Sequence, residues 1–503
     1  MELFADLGKG FAAALAPQAL LFCFIGVTIG TFVGVLPGVG AMAAVAICLP
    51  ITFYLEPMIA LIMLAGIFYG AQYGSSVASI LMNIPGTVTA AVTCLDGYPL
   101  TKKGRAGPAL LITTISSFVG GSIAIILLMC FAPLIAVVAL KFSSAEYFSM
   151  MLLGLVAAST LSLGSPTKGL AMVVVGVCLG LVGTDINTGV SRFAFGVLEL
   201  ADGLNLVAVA MGLFGVAEIL SSIRQEGRVA VDPKSITLRS LIPTRQEVRE
   251  AIGSTFRGTA VGSAIGALPG AGATIATFMA YALEKRVSKN PGKFGRGAIE
   301  GIAAPEAANN AAVQAAFIPT LSLGIPGDVL MAVLLGAMMI HGIVPGPQFI
   351  IEHSVTFWGL VASFWIGNVL LLVLNIPLIG IWVRLLSIPY HLLYPAMLFF
   401  ICIGVFAINN KVFDVYTVIV FGGIGYLMSA FRYPAAPLLL GFILGPMMEE
   451  HLKRALLISQ GDFMVFVQRP ISLAFLAVTV LLLLLSMRQF VGSALARVGA
   501  VRS

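Results

Sequence analysis

Two short stretches concentrate the groups that could hold a ligand. Gln72, Tyr73, Ser75, Ser76, Ser79, Asn83, Thr87 and Thr89 form one; Glu306, Asn309, Asn310, Gln314, Thr320 and Ser322 form the other. The chain around them is 59% hydrophobic and only 10% charged. Neutral hydroxyls and amides offer donors and acceptors without burying net charge, which suits a carboxylate or a hydrated cation. Single Ser and Thr residues in apolar helices also serve simply to join neighbouring helices. The adjacent amides of Asn309 and Asn310 each need several partners, which favours ligand contact. Asp96, Glu300, Glu306 and Asp328 lie in or beside apolar sequence, where ionisable groups are functional candidates. Asp328 suits a cation ligand and equally a helix N-cap. His341, His353, His391 and His451 have no ligand spacing, and no nucleophile–base pair or phosphate loop stands out. Enzyme activity is therefore not expected.

The elements that position these residues are broken helices. Gly30 to Ala41, which contains LPGVG, reappears as Gly262 to Ala273, which contains LPGAG. Asn83-Ile84-Pro85-Gly86-Thr87 is matched by Gly324-Ile325-Pro326-Gly327-Asp328. LPGxG precedes IPG in both halves, an order hard to obtain by chance. Pro and Gly interrupt helices, and matched interruptions in two halves of a membrane chain point to a transporter built from a repeat. Half-helix N-termini offer N–H groups to an anion, and unwound carbonyls offer oxygens to a cation. Gly38, Gly40, Gly270 and Gly272 permit close approach of backbone to a ligand. Kinking or tight packing is the simpler use of one such motif; the pairing argues for a ligand.

With mean hydropathy +1.04 over 503 residues, the chain reads as an all-α, polytopic integral membrane protein. At about 20 residues per span, its apolar tracts predict roughly 10 to 14 segments, some broken or re-entrant. The net charge of +6 reflects Lys and Arg in loops, so nucleic acid is not a partner. The six Cys are scattered without a CxxC pair, which indicates neither disulfides nor a metal site. Met1 to Gln18 lacks a basic n-region, so a cleaved signal peptide is not expected.

Basic residues test the relation between the halves. The loop after the first IPG carries Lys102, Lys103 and Arg105, whereas His341 to Gln348 after the second carries neither Lys nor Arg. After LPGxG the pattern reverses: Tyr54 to Pro57 is not basic, and Lys285, Arg286, Lys289, Lys293 and Arg296 are. If basic loops face the cytoplasm, equivalent loops face opposite sides and the repeats are inverted. The expected domains are a first repeat at 1–220, a polar cytoplasmic linker at 221–256, a second repeat at 257–469 and a C-terminal helix and tail at 470–503. Within the linker, Thr244 with Glu247 predicts a capped helix lying on the membrane surface. A last helix is expected near Ile471 to Leu485.

The motifs resemble those of the large membrane subunit of bacterial tripartite tricarboxylate transporters. The likeness covers nearly the whole chain: GVLPGVG at Gly34 to Gly40, the Tyr73 to Gly86 segment, and Gly183 to Gly196. It continues through GALPGAG at Gly266 to Gly272, PEAANNAA at Pro305 to Ala312, LSLGIPGD at Leu321 to Asp328, and Tyr433 to Leu456. Ile186 stands where relatives commonly have Pro. The resemblance implies a multi-pass permease of the bacterial inner membrane that imports di- or tricarboxylates such as citrate, typically by sodium symport. It also implies a small four-helix membrane subunit, a periplasmic solute-binding protein and an elevator motion.

Importing a trianion against 100 mV costs roughly 7 kcal/mol, which co-transported cations offset. The coupling ion, taken as sodium, is assigned to the breaks at Leu36, Pro37, Gly38 and Gly40 and at Leu268, Pro269, Gly270 and Gly272, with Asp328. The carboxylate is assigned to Ser75, Ser76, Asn83, Thr87, Asn309, Asn310 and Ser322. No other cofactor is expected. Proton coupling, or an intramembrane enzyme, are the alternatives left open.

Overall fold

The computed structural model describes residues 2–36, 40–161, 165–185, 189–222, 238–268, 272–385 and 390–502. These are almost wholly helical. Their one strand pair is Gly183–Thr184 against Ser191–Arg192, antiparallel. Among the described residues, five helices are long and apolar enough to cross a membrane: Pro17–Val35, Pro57–Met82, Ala106–Ala139, Ser354–Asn375 and Val412–Ala430. Six further apolar helices are shorter, Gly40–Thr52 and Val329–Ile340 among them. Helices of such length follow when apolar tracts are divided at Pro and Gly. Ile126, Phe131, Leu134 and Val137 leave an exposed apolar face on Ala106–Ala139, as lipid contact requires. At the centre lies Pro57–Met82, in which every residue from Ile59 onward is buried.

Both halves use one packing device. Pro17–Val35 crosses the central helix at Gly26, Gly30 and Gly34. A Cβ there would lie 2.5, 2.3 and 2.1 Å from the carbonyl oxygens of Met63, Ile67 and Ala71. Arg245–Gly266 crosses Glu300–Ala315 at Gly258, Gly262 and Gly266. Their Cβ atoms would lie 2.2, 2.3 and 2.4 Å from the carbonyl oxygens of Ala304, Ala308 and Ala312. The spacing of four puts each glycine set on one helix face. Gly34 and Gly266 hold the same place in the duplicated motif.

The breaks repeat in backbone detail. Pro57–Met82 ends at Asn83 with φ 61°, and Phe317–Leu323 ends at Gly324 with φ 72°. Thr87 and Asp328 are then extended, with φ −135° and −148°, before helix resumes at Val88 and Val329. After the LPGxG motifs, Gly40 and Gly272 start new helices with φ 70° and 66°.

The capping box is present. The Thr244 hydroxyl accepts from the Glu247 N–H, and Glu247 accepts from the Thr244 N–H at 2.6 Å. The helix it starts, Arg245–Gly266, runs unbroken for 22 residues. The expected surface helix and the first helix of the second half are therefore one element, and the boundary at 256 falls within it. Residues 223–237 of the polar linker lie outside the described residues. The last helix is longer than expected, Pro470–Arg502.

The halves are tied at two ends. Asp96 Oδ1 accepts from the N–H groups of Gly295, Gly297 and Ala298 at 2.9, 2.7 and 2.8 Å, and Oδ2 accepts from the Tyr281 hydroxyl at 3.0 Å. Lys103 Nζ donates to the Arg296 carbonyl at 2.6 Å, and Arg105 forks onto Glu247. The basic loops at 102–105 and 285–296 thus lie together. Elsewhere Phe53 shares a cavity wall with Met339 and Ile340, which joins the ends that carry few basic residues.

Two outcomes follow. Gly34→Ala forces a methyl onto the Ala71 backbone and should cost about 1–3 kcal/mol, read as a lower melting temperature in detergent. Gly8→Ala, with open space around it, should not. Burial works to raise the Glu247 carboxyl, but hydrogen bonds from Arg105 and Thr244 outweigh it and hold Glu247 below its usual value. A lowered carboxylate stabilises above its unfolded value and loses that effect as pH falls through the folded one. The protection of the amides at 245–250, measured relative to their intrinsic exchange rates, should therefore be high at neutral pH and fall below about pH 4; Glu247→Gln should remove that acid step.

Candidate functional site

The breaks of each half meet one another. In the first half, a Cβ on Gly86 would lie 1.9 Å from the Gly34 carbonyl oxygen, so the IPG loop seats directly on the end of Pro17–Val35. In the second, the Asp328 Cβ would lie 3.6 Å from a Cβ on Gly272. Between the halves lies a cavity of about 460 Å³, within the range of small-molecule sites. Met42, Gln72, Val88 and Thr89 reach it from the first half. Gly272 to Ile275 and Asp328 to Leu330 reach it from the second, and Pro434 to Ala436 close a further wall.

Helix beginnings converge there. Gly272, Val329 and Ala435 are the first residues of their helices, and Val88 opens a 3₁₀ turn. Met42 lies in the first turn of Gly40–Thr52. First-turn N–H groups lack intrahelical acceptors and carry partial positive charge. The cavity therefore offers an anion several N-termini at once. Among the described residues, Asp328 is the one charged side chain on its wall.

A hydrogen-bonded network backs the first-half wall. Gln72 Oε1 accepts from the Thr89 hydroxyl at 2.8 Å and from Asn309 Nδ2 at 3.3 Å. Thr87 and Thr89 hydroxyls are 2.8 Å apart, and Thr87 donates to Ser75 Oγ at 3.0 Å. Asn309 Oδ1 and Gln314 Oε1 are buried without a partner.

The expected site residues divide accordingly. Gly272 and Asp328 line the cavity, and Asp328 Oδ1 also caps Val329–Ile340, accepting from the N–H groups of Leu330 and Met331, both at 2.9 Å. Ser75, Thr87 and Asn309 belong to the network behind the wall. Ser76 and Ser322 donate to Tyr73 and Ile318 carbonyls, at 2.7 and 2.5 Å, and Asn310 to the Glu306 carbonyl at 3.2 Å. Asn83 is exposed, and its αL backbone suits Asn. Leu36 is buried in the core, Leu268 is exposed, and Gly40 turns the chain into its helix. Pro37, Gly38, Pro269 and Gly270 lie outside the described residues. The apolar walls Phe68, Phe214 and Leu440 carried no sequence signal, because apolar residues are everywhere in this chain.

The Gly183 to Gly196 segment forms the strand pair. Arg192 Nη1 contacts both Glu449 oxygens at 2.9 Å, and Lys453 contacts Asp185 at 2.9 Å. Residues 186–188 of it lie outside the described residues. Its ion pairs anchor it to Ala435–Ile458, whose first residues wall the cavity.

The description of the tripartite tricarboxylate transporter TctA family matches residues 20–440. The chain belongs to that family. This TctA-family chain is a multi-pass membrane protein and the permease component of a tripartite transporter, so it works with partner subunits. It is 50% identical over 478 residues to a protein of Agrobacterium vitis described as an uncharacterized 52.8 kDa protein in the TAR-I ttuC' 3' region, covering 95% of each. A second protein of that organism, described as uncharacterized and in the TAR-II ttuC' 3' region, is 52% identical over 226 residues, 45% of this chain and 93% of its own. No solved structure matches.

Asp328→Ala should lower stability by about 1 kcal/mol through the lost cap, whereas Asp328→Asn, which still accepts, should not. If the carboxylate also serves a cation, Asp328→Asn should weaken sodium activation of uptake at unchanged melting temperature. Gln72→Leu strands the Thr89 and Asn309 donors and should cost about 1–3 kcal/mol, read by thermal unfolding, together with weaker substrate binding.

Proposed function

We propose that this chain imports di- or tricarboxylates across the bacterial inner membrane, by sodium symport, from a periplasmic binding protein and beside a small four-helix membrane subunit. The observation that carries this reading is the cavity where both halves' breaks meet and several helices begin. Such a site favours a compact polyanion, and its volume accommodates one. The LPGxG breaks and the Asp328 oxygen not used in capping are the sites proposed for sodium. This chain acts as a carrier and not as an enzyme, a reading supported by its membership of a transporter family.

An inverted arrangement of the repeats is supported by the two inter-half ties. The basic loop after the first IPG lies beside the basic loop after the second LPGxG, and the equivalent non-basic ends lie together elsewhere. Loops equivalent by sequence would then face opposite sides. Alternation by an elevator motion, with the breaks carrying ligand past a scaffold, fits that symmetry.

The test is uptake of labelled citrate and smaller dicarboxylates into proteoliposomes holding both membrane subunits, with the binding protein supplied. Saturable uptake that requires the binding protein and an inward sodium gradient is expected. Accumulation independent of any sodium gradient would overturn the symport; no carboxylate uptake would overturn the function.

A further inference from the structure

Glu306 has no role in the cavity described above, yet it is among the most costly groups in the chain to bury. Its residue is 1% exposed. Thr93 donates to Oε1, and Oε2 is buried without a partner. A buried carboxylate persists when it is paired, coordinates a cation or is protonated. Pairing is not what holds this one.

The groups around it are accounted for element by element. Tyr73 on the central helix donates to Asn368 Oδ1 at 2.7 Å, and Cys94 on Ala91–Lys102 is a free, buried cysteine. Asp96 on that same helix is held by three backbone N–H groups and Tyr281. Ser117 on Ala106–Ala139 approaches the Glu306 carbonyl. Arg257 on Arg245–Gly266 is bound to Glu284 on Gly272–Val287 at 2.6 and 2.9 Å. On its own helix, Glu300 takes Lys293 at 2.6 Å. Among the described residues no Lys, Arg or His is paired with Glu306.

The same helix carries three further buried acceptors without a partner among the described residues, Glu300 Oε2, Asn309 Oδ1 and Gln314 Oε1, of which Asn309 is the nearest to Glu306 along the chain. Asn309 Oδ1 is fully buried and unpartnered. At i and i+3 the two residues share a helix face. Both orphan atoms are acceptors, and acceptors without donors call for a cation. Asn309 also joins the network through Gln72 to Thr89, which lines the cavity.

We propose that Glu306, with Asn309 beside it, binds a monovalent coupling cation, a proton or a sodium ion, next to the carboxylate cavity. The cation neutralises the buried carboxylate, so occupancy of this site sets whether the helix Glu300–Ala315 can cross the bilayer with its load. This rests on the transport reading, and goes beyond it by placing a coupling ion away from the breaks.

The experiment compares wild type with Glu306→Gln in proteoliposomes containing the complete three-component transporter, with sodium ions and external pH as the probes. Gln mimics the neutralised acid. If the ion is sodium, the number of sodium ions moved per carboxylate should fall by one. If it is a proton, the pH dependence of uptake should disappear while sodium activation remains. Unchanged sodium stoichiometry and an unchanged pH profile would overturn the proposal. Wild-type protein without carboxylate uptake would instead overturn the transport reading. A second measurement covers a variant that does not fold: modification of wild-type Glu306 by dicyclohexylcarbodiimide, followed by mass spectrometry. Sodium ions or alkaline pH should slow it. A Glu306 that stays unmodified, or reacts at a rate neither changes, overturns the proposal.

Discussion

Lipid supplies no hydrogen bonds, so a helix can stop inside a bilayer only where protein or enclosed water takes over its backbone groups. That constraint organises this molecule. Each half contains two interruptions, and each half brings its two interruptions into contact: Gly86 against Gly34, Asp328 against Gly272. The interrupted helices then need a tight scaffold, which the glycine crossings provide. Where Gly26, Gly30 and Gly34 meet the central helix, and where Gly258, Gly262 and Gly266 meet its counterpart, the backbones approach too closely for any side chain. The stability lies in those crossings; the cavity lies where the helices are cut.

The cut ends also set the electrostatics. Helix N-termini converge on a space whose charged wall residue is Asp328, itself engaged in capping. The carboxylate proposed to bind there would meet partial positive charge without a Lys or Arg on the described wall that would hold it too firmly. A carrier has to release what it binds, and dipoles spread over several helix ends are weaker than one ion pair. The proposed cations complete the charge balance, one set at the breaks and one at Glu306.

Much of this was legible in the residues. LPGxG and IPG, in the same order in both halves, located the breaks, because Pro and Gly act locally and their effect is visible in the chain itself. The capping box at Thr244 and Glu247 was readable for the same reason. What the sequence hid depends on distant partners. Asp96 is bound by N–H groups about 200 residues away, at Gly295, Gly297 and Ala298, and nothing near Asp96 announces that. Asn83 stood out as a polar residue, yet its left-handed backbone accounts for its type. Ser76, Ser322 and Asn310 also stood out, and each bonds a carbonyl of its own helix. Polarity in an apolar chain marks candidates; it does not tell a lining residue from one that serves its own turn. The continuity of Arg245–Gly266 was missed because its polar first turns resemble a linker.

The central claim is that one cavity, shared by both halves, takes the carboxylate. Thr89 and Thr274 line it from opposite halves. Each can be replaced by Cys in a transporter whose six native cysteines have been removed, and its reaction with a water-soluble thiol reagent timed with and without carboxylate. The account predicts that bound carboxylate slows both reactions together, with the same concentration dependence. Protection of one position alone, or of neither while uptake persists, would contradict it.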